Sequence, residues 1–118
     1  MRRVATIVGL CIVCPLALGA QQLKGAVFSP KSGIVCDKKA QFCADAEGIS
    51  LAYTKEYLGE KAERVMLERI NSAGKAGYDL TWFALSNGVD CKTQLKRCTV
   101  NKHSDKIDAA HTKALFGH

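Results

Sequence analysis

The sequence predicts an α+β fold of two β-β-α units, with antiparallel hairpins stapled by disulfides and the longer helix packed on the sheet. Three observations predict it. A cysteine, six residues and a second cysteine occur twice, at Cys36 to Cys43 and at Cys91 to Cys98. The register extends upstream at a fixed offset of 55 residues, which pairs Phe28 with Phe83, Gly33 with Gly88 and Ile34 with Val89. Between the copies runs a stretch whose apolar residues recur at helical spacing.

Met1-Arg2-Arg3 leads into an apolar run from Val4 to Leu18 that ends at Gly19 and Ala20. A charged start, a short apolar stretch and a small-residue end predict a secretory signal peptide over 1–20, cleaved near Ala20. The run is about 15 residues, short of the about 20 that a span requires, and Pro15 interrupts it, so no stable membrane insertion is expected after cleavage. Cys11 and Cys14 leave with the peptide. Leu10 and Val13 precede them, where lipidation would need small residues.

Processing of the 118-residue chain leaves 98, enough for one domain with a thin core. Residues 21–32 read as an N-terminal tether with a short strand at Ala26 to Phe28. Residues 33–118 read as a single disulfide-stabilised domain, with unit one at 33–74 and unit two at 80–117. The formal net charge of +6 becomes +4 without Arg2 and Arg3, from 15 basic and 11 acidic residues. The lysines are scattered and not interleaved with aromatics, so no nucleic-acid partner is expected.

In unit one, Gly33 to Cys36 and Phe42 to Ala44 flank a polar turn and predict a hairpin. Ile49 to Tyr53 alternate as one more short strand. Thr54 is placed as a helix N-cap with Glu56 in the first turn. Leu58, Ala62, Val65, Met66 and Ile70 then form one apolar face. Gly59 weakens the first turn, so the stable helix starts near Glu60 and ends at Gly74. In unit two, Leu80 to Ser86 predict a strand and Asn87-Gly88 a tight hairpin turn. Val89 to Lys92 and Arg97 to Val100 predict two further strands around a turn. Ser104 is placed as the cap of a second helix that ends at Gly117.

The four remaining cysteines, Cys36, Cys43, Cys91 and Cys98, form an even set in an oxidising compartment and read as a disulfide framework. Within each copy the pair flanks a hairpin turn, where opposed Cα atoms are close enough to bridge. The expected pairing is Cys36–Cys43 and Cys91–Cys98, and the rival is a crossed pairing between copies. A six-residue spacing on strands suits neither a redox C-x-x-C nor a zinc site, so structural bridges are favoured.

No catalytic, cofactor-binding or metal-ligating signature stands out, and no cofactor is expected. His103, His111 and His118 lack metal-site spacing and read as surface histidines. Ser104 or Ser86 with His111 could form a nucleophile and base only through geometry that sequence does not carry. Glu56, Glu60 and Glu63 read as a solvated helix flank. If Phe83 and Leu85 face the core, Trp82 either faces outward as the candidate surface contact or lies partly covered under the second helix, and the covered placement is the favoured one.

Phe28-Ser29-Pro30, Gly33-Ile-Val-Cys36-Asp37, Phe42-Cys43-Ala-Asp45 and Gly48-Ile-Ser-Leu51 together resemble the Fels-1 prophage protein-like family. So do Leu85-Ser-Asn-Gly88, Cys98-Thr-Val100, Ser104-Asp-Lys106 and His111-Thr-Lys-Ala-Leu-Phe-Gly117, over nearly the whole mature chain. The resemblance implies small exported bacterial proteins in a periplasmic setting, with no assigned activity and so no functional residues to transfer. The functional expectation is a non-catalytic periplasmic binding module for an unknown protein or envelope polymer, in one version a phage-derived inhibitor or immunity-like protein. The alternatives are a small periplasmic enzyme using His111 with a nearby Ser or Asp, and a structural or stress-related envelope protein.

Overall fold

The computed structural model describes residues 20–74 and 77–118. The segment read as a signal peptide, with Cys11 and Cys14, lies outside the described residues up to residue 19. The fold is α+β. In chain order it comprises strands β1 (Gln21–Gln22), β2 (Val27–Lys31), β3 (Ile34–Asp37), β4 (Phe42–Asp45) and β5 (Gly48–Ser50), then helices α1 (Leu51–Leu58) and α2 (Glu60–Ser72). Strands β6 (Trp82–Ala84), β7 (Asp90–Lys92) and β8 (Arg97–Thr99) follow, and helix α3 (Ala109–Phe116) closes the chain. All pairings are antiparallel, in a five-stranded sheet β1-β2-β3-β4-β5 and a three-stranded sheet β6-β7-β8.

Both disulfides form within their own unit, Cys36–Cys43 and Cys91–Cys98, each with Cα atoms 4.0 Å apart. The cysteines sit directly opposite on β3/β4 and β7/β8. The turns between them are alike, because Gln41 and Lys96, 55 residues apart, both take left-handed backbone.

Several sequence expectations are corrected. The tether is part of the sheet: β2 pairs with β3 by setting Phe28 opposite Cys36, and β1 pairs with β2. Thr54 does not cap a helix. Ser50 does, accepting the Tyr53 N–H at 3.1 Å, so the strand read over Ile49 to Tyr53 ends at Ser50 and a helix begins. Gly59, at φ 97°, then breaks the helical stretch into α1 and α2. Likewise Asp108, not Ser104, caps the last helix, taking the His111 N–H at 3.0 Å. Ser104 Oγ instead accepts the Lys106 N–H within a loop. Competing caps a few residues apart are separated only by where the preceding strand ends.

These helices extend the duplication. Ser50-Leu-Ala-Tyr-Thr54-Lys55-Glu-Tyr-Leu-Gly59 aligns with Asp108-Ala-Ala-His-Thr112-Lys113-Ala-Leu-Phe-Gly117, at an offset of 58 rather than 55. Thr54 Oγ1 accepts the Cys43 N–H at 2.8 Å, and Thr112 Oγ1 accepts the Cys98 N–H at 2.9 Å. Gly59 and Gly117 end their helices with N–H bonds to the Lys55 and Lys113 carbonyls. Each unit is therefore a disulfide hairpin whose second cysteine is fastened to a short helix by a buried threonine. Helix α2 joins the units, burying Ala62 and Met66, and Arg69 donates to the Ala40 carbonyl at 2.7 Å.

The main core lies between the units. Unit one contributes Val27, Val35, Phe42, Ala44 and Ile49, and unit two contributes Phe83, Leu85, Val89, Cys91 and Cys98, with Met66, Ala114 and Leu115 from the helices. Phe42 and Phe83 meet edge to face at 5.6 Å across it. The first disulfide belongs to a separate outer cluster with Ile34, covered by Phe28, Tyr53, Tyr57 and Leu58.

Two polar links lock the units. Asp37, fully buried, accepts the Lys39 and Ala40 N–H groups of its own turn and the Ser86 N–H and hydroxyl 49 residues away. Gly48 has no Cβ, and a Cβ there would meet the Leu80 carbonyl, which accepts the Ile49 N–H at 2.8 Å.

Candidate functional site

Strand alternation places Phe83 and Leu85 in the core and Trp82 and Ala84 outside. The register then builds the outer face row by row. Trp82 opposes Lys92, which opposes Arg97, and Ala84 opposes Asp90, which opposes Thr99. Trp82 is 51% exposed and is the only tryptophan of the chain.

The indole is held in place. Its Nε1–H donates to the Asp90 carboxylate, 3.0 Å from Oδ1 and 2.8 Å from Oδ2, and Asp90 is only 3% exposed. Lys92 Nζ lies 4.6 Å from the ring centroid and 3.5 Å from Asp90 Oδ2, a cation–π contact and an ion pair sharing one ammonium. A large apolar side chain is thus presented to solvent with its rotamer already fixed, which lowers the ordering cost of using it as an anchor.

Two clefts meet at this residue. One, of about 250 Å³, is lined by Asp79, Thr81, Trp82, Lys92, Gln94 and Leu95. The other, of about 400 Å³, runs past Tyr78, Asp79, Trp82 and Ala84. Asp79 lines both. Its Oδ1 accepts the Thr81 hydroxyl at 2.6 Å and the Thr81 N–H at 2.9 Å, and these bonds hold its carboxyl below the ordinary value.

The other residues considered from sequence are dispersed. His111 is 2% exposed rather than a surface group. Its Nδ1 lies 2.8 Å from Asp108 Oδ1 and its Nε2 lies 3.1 Å from Asn87 Nδ2. Asn87 Oδ1 accepts the Val89 N–H and Nδ2 also donates to the Lys24 carbonyl, which fixes the amide. Nε2 is therefore an acceptor, and Nδ1 carries the proton given to Asp108. Burial raises the Asp108 carboxyl, but hydrogen bonds from the His111 backbone N–H and ring, with the nearby charge of Lys24, outweigh it and hold it below the ordinary range.

Ser86 donates its hydroxyl hydrogen to Asp37, and Ser104 sits in its own loop turn, so neither hydroxyl is bonded to His111. His103 is exposed, and His118 contacts the Lys96 carbonyl and stacks on Phe116. Glu56 lies on α1 while Glu60 and Glu63 lie on α2, so the Gly59 break divides the expected acidic flank. Among the described residues no group of three or more His, Cys, Asp or Glu could hold a metal ion, and no helix is long and apolar enough to cross a membrane.

Sequence reading singled out Trp82 but missed Asp79, Asp90 and Lys92. The signal for the last two was present. Phe28 and Phe83 occupy equal places, and setting Phe83 opposite Cys91 places Trp82 against Lys92, with Asp90 two pairs along on the same face, opposite Ala84.

Residues 27–116 match the family model described as YcgJ protein. The uncharacterized protein YcgJ of Escherichia coli (strain K12) is 37% identical over 99 residues, covering 78% of this chain and 75% of that relative. No solved structure matches the chain. The chain belongs to the YcgJ family.

Proposed function

We propose that this YcgJ-family protein is an exported, periplasmic interaction module that acts by binding rather than by catalysis, with Trp82 at the centre of its contact surface. The carrying observation is the half-exposed indole fixed by buried Asp90 and Lys92. Buried, pre-ordered aromatic anchors dominate interfaces, and an exposed one so firmly held awaits a cover. Two disulfides favour an oxidising compartment, in line with the charged and apolar segment 1–20. The bound species is a protein or an envelope polymer, and a phage-derived inhibitor or immunity-like role is one form of it.

The test is affinity capture from periplasmic extract with the oxidised protein and with Trp82→Ala in parallel, washed at low and high salt. A component retained stoichiometrically at high salt by the parent, and lost with Trp82→Ala, supports the module. Retention that is indifferent to Trp82 or abolished by salt overturns this site. An empty capture shifts the reading toward an enzyme or a structural envelope role.

A further inference from the structure

We infer that the two clefts meeting at Trp82 form a binding site for a neutral oligosaccharide, with one sugar ring against the indole and the chain continuing past Tyr78. This rests on Trp82 being the contact surface and names the chemistry that it takes.

Shape favours a slender polymer. The clefts hold about 250 and about 400 Å³. They are shallow and open to solvent, and, adjoining at Asp79 and Trp82, they are small beside the surface that a stable protein partner covers. A carbohydrate chain can occupy two adjoining clefts through successive rings.

Chemistry favours a polar but uncharged ligand. Pyranose rings have an apolar face of C–H bonds and an edge of hydroxyls. Trp82 and Tyr78, 51% and 39% exposed, supply aromatic faces whose negative π surface attracts polarised C–H groups. Lys92 occupies part of the indole, and the sugar packs on what it leaves open. The lining also carries hydrogen-bonding groups from Asp79, Thr81 and Gln94. Thr81 commits Asp79 Oδ1, and Oδ2 has no partner among the described residues, so one oxygen of a fixed carboxylate faces ligand hydroxyls from the wall shared by both clefts.

Local charge decides against an anion. The whole chain is basic, but Lys92 is paired with Asp90 and Arg97 with Asp105, at 3.5 and 3.7 Å. Asp79 adds a negative charge at the cleft wall that has no ion-pair partner among the described residues. A phosphate or uronate chain would meet that carboxylate with no free cation among the described cleft-lining residues.

Trp82 being the single tryptophan, its fluorescence reads the site without background. The oxidised protein would be titrated with unbranched tetrasaccharides of glucose and of N-acetylglucosamine, with the matching monosaccharides, and with heparin and polyphosphate as anionic comparators. At least one neutral tetrasaccharide should shift the emission, binding about tenfold or more tighter than its monosaccharide. Calorimetry should show that binding lost in Trp82→Ala and weakened about fivefold or more in Asp79→Asn, with the thermal midpoints of both variants kept near the parent. Flat emission with every neutral sugar up to millimolar concentration, binding by the polyanions alone, or unchanged affinity in Trp82→Ala overturns the inference. A Trp82-dependent protein partner in the capture experiment, together with flat sugar titrations, would overturn the oligosaccharide while leaving the interaction module standing.

Discussion

Units one and two share a plan and use it inside out. In unit two the disulfide face, with Phe83, Cys91 and Cys98, points into the main core. In unit one the opposite face, with Val27, Val35, Phe42 and Ala44, points there, and the disulfide lies in an outer cluster under α1. At an offset of 55 the residues that unit one buries become the outer face of unit two. Val27 corresponds to Trp82, Val35 to Asp90, Phe42 to Arg97 and Ala44 to Thr99. The pairing of Ala44 with Ile49 recurs as the single bridge between Thr99 and Ile107, yet Ile49 is 7% exposed and Ile107 45%.

That difference explains how a small repeat acquires a surface to work with. Stacking two units requires one face from each, and unit one covers its second face with Tyr53, Tyr57 and Leu58 of α1. Unit two places α3 on the core, where Ala114 and Leu115 are buried, and on its outer sheet face Asp90 and Thr99 are covered while Trp82 stays half exposed.

Four expected outcomes would sharpen or break this comparison. The largest effect is at one repeat position with opposite surroundings. Phe42→Ala should cost about 3–5 kcal/mol in urea unfolding. Its counterpart Arg97→Ala should cost about 1 kcal/mol or less, because the Arg97 Nε is already buried without a partner. Similar costs at the two positions would end the inside-out description.

The disulfides come next. Each closes a short loop whose loss costs roughly 2–3 kcal/mol. All four cysteines are buried, but Cys91 and Cys98 sit in the main core while Cys36 and Cys43 lie under the partly buried Phe28, Tyr53, Tyr57 and Leu58. Those side chains can close over the lost sulfurs, so replacing Cys91 and Cys98 by alanine should destabilise more than the same change at Cys36 and Cys43. The reverse order would place the structural centre in unit one.

The threonine ties should instead behave alike. Thr54→Val and Thr112→Val each leave a buried cysteine N–H unsatisfied, at about 1–3 kcal/mol apiece. A large cost at one and none at the other would show that the duplicated strand-to-helix tie is structural in one unit only.

The smallest contrast is in acid. Ser50 caps α1 and does not titrate, whereas Asp108 caps α3 with a carboxyl held below its ordinary value. A depressed folded pKa stabilises the native state above the unfolded value, near 3.9, and that contribution is lost as pH falls through the folded pKa. Amide exchange should therefore show α3 loosening below about pH 4 before α1 does. Asp108→Ser should remove the difference while changing stability near neutral pH by about 1 kcal/mol or less. Equal acid response of the two helices would refute a distinct role for the Asp108 cap.

Much of the fold was legible because it is local. Cys36 and Cys43 flank a turn too short for any partner but each other's strand, and the same holds for Cys91 and Cys98. Ala62 and Met66 follow helical period and are buried as that period requires. Trp82 was legible as an outward residue only conditionally, through its alternation with Phe83 and Leu85. The helix caps were misread at Thr54 and Ser104 because each lies four residues from a second good cap, and side-chain type alone does not choose between them. The likeness of Ser50 to Gly59 with Asp108 to Gly117 could have chosen. It was hidden by three extra residues between Cys98 and its helix.

The sequence by itself determined two cysteine-flanked hairpins, the helix between them and the duplication that relates them, since all of these are set by short-range spacing, while the structure removed the crossed disulfide pairing. Only the tertiary structure decided which face of each hairpin turns inward. Unit one is apolar on both faces, Phe28, Ile34 and the cysteines on one and Val27, Val35, Phe42 and Ala44 on the other, so its pattern permits either choice. The choice falls to contacts made across some fifty residues, where Phe42 meets Phe83 and Asp37 takes the Ser86 N–H and hydroxyl. Those contacts also leave Trp82 open on the surface, with Asp90 buried beneath it to hold the ring in place.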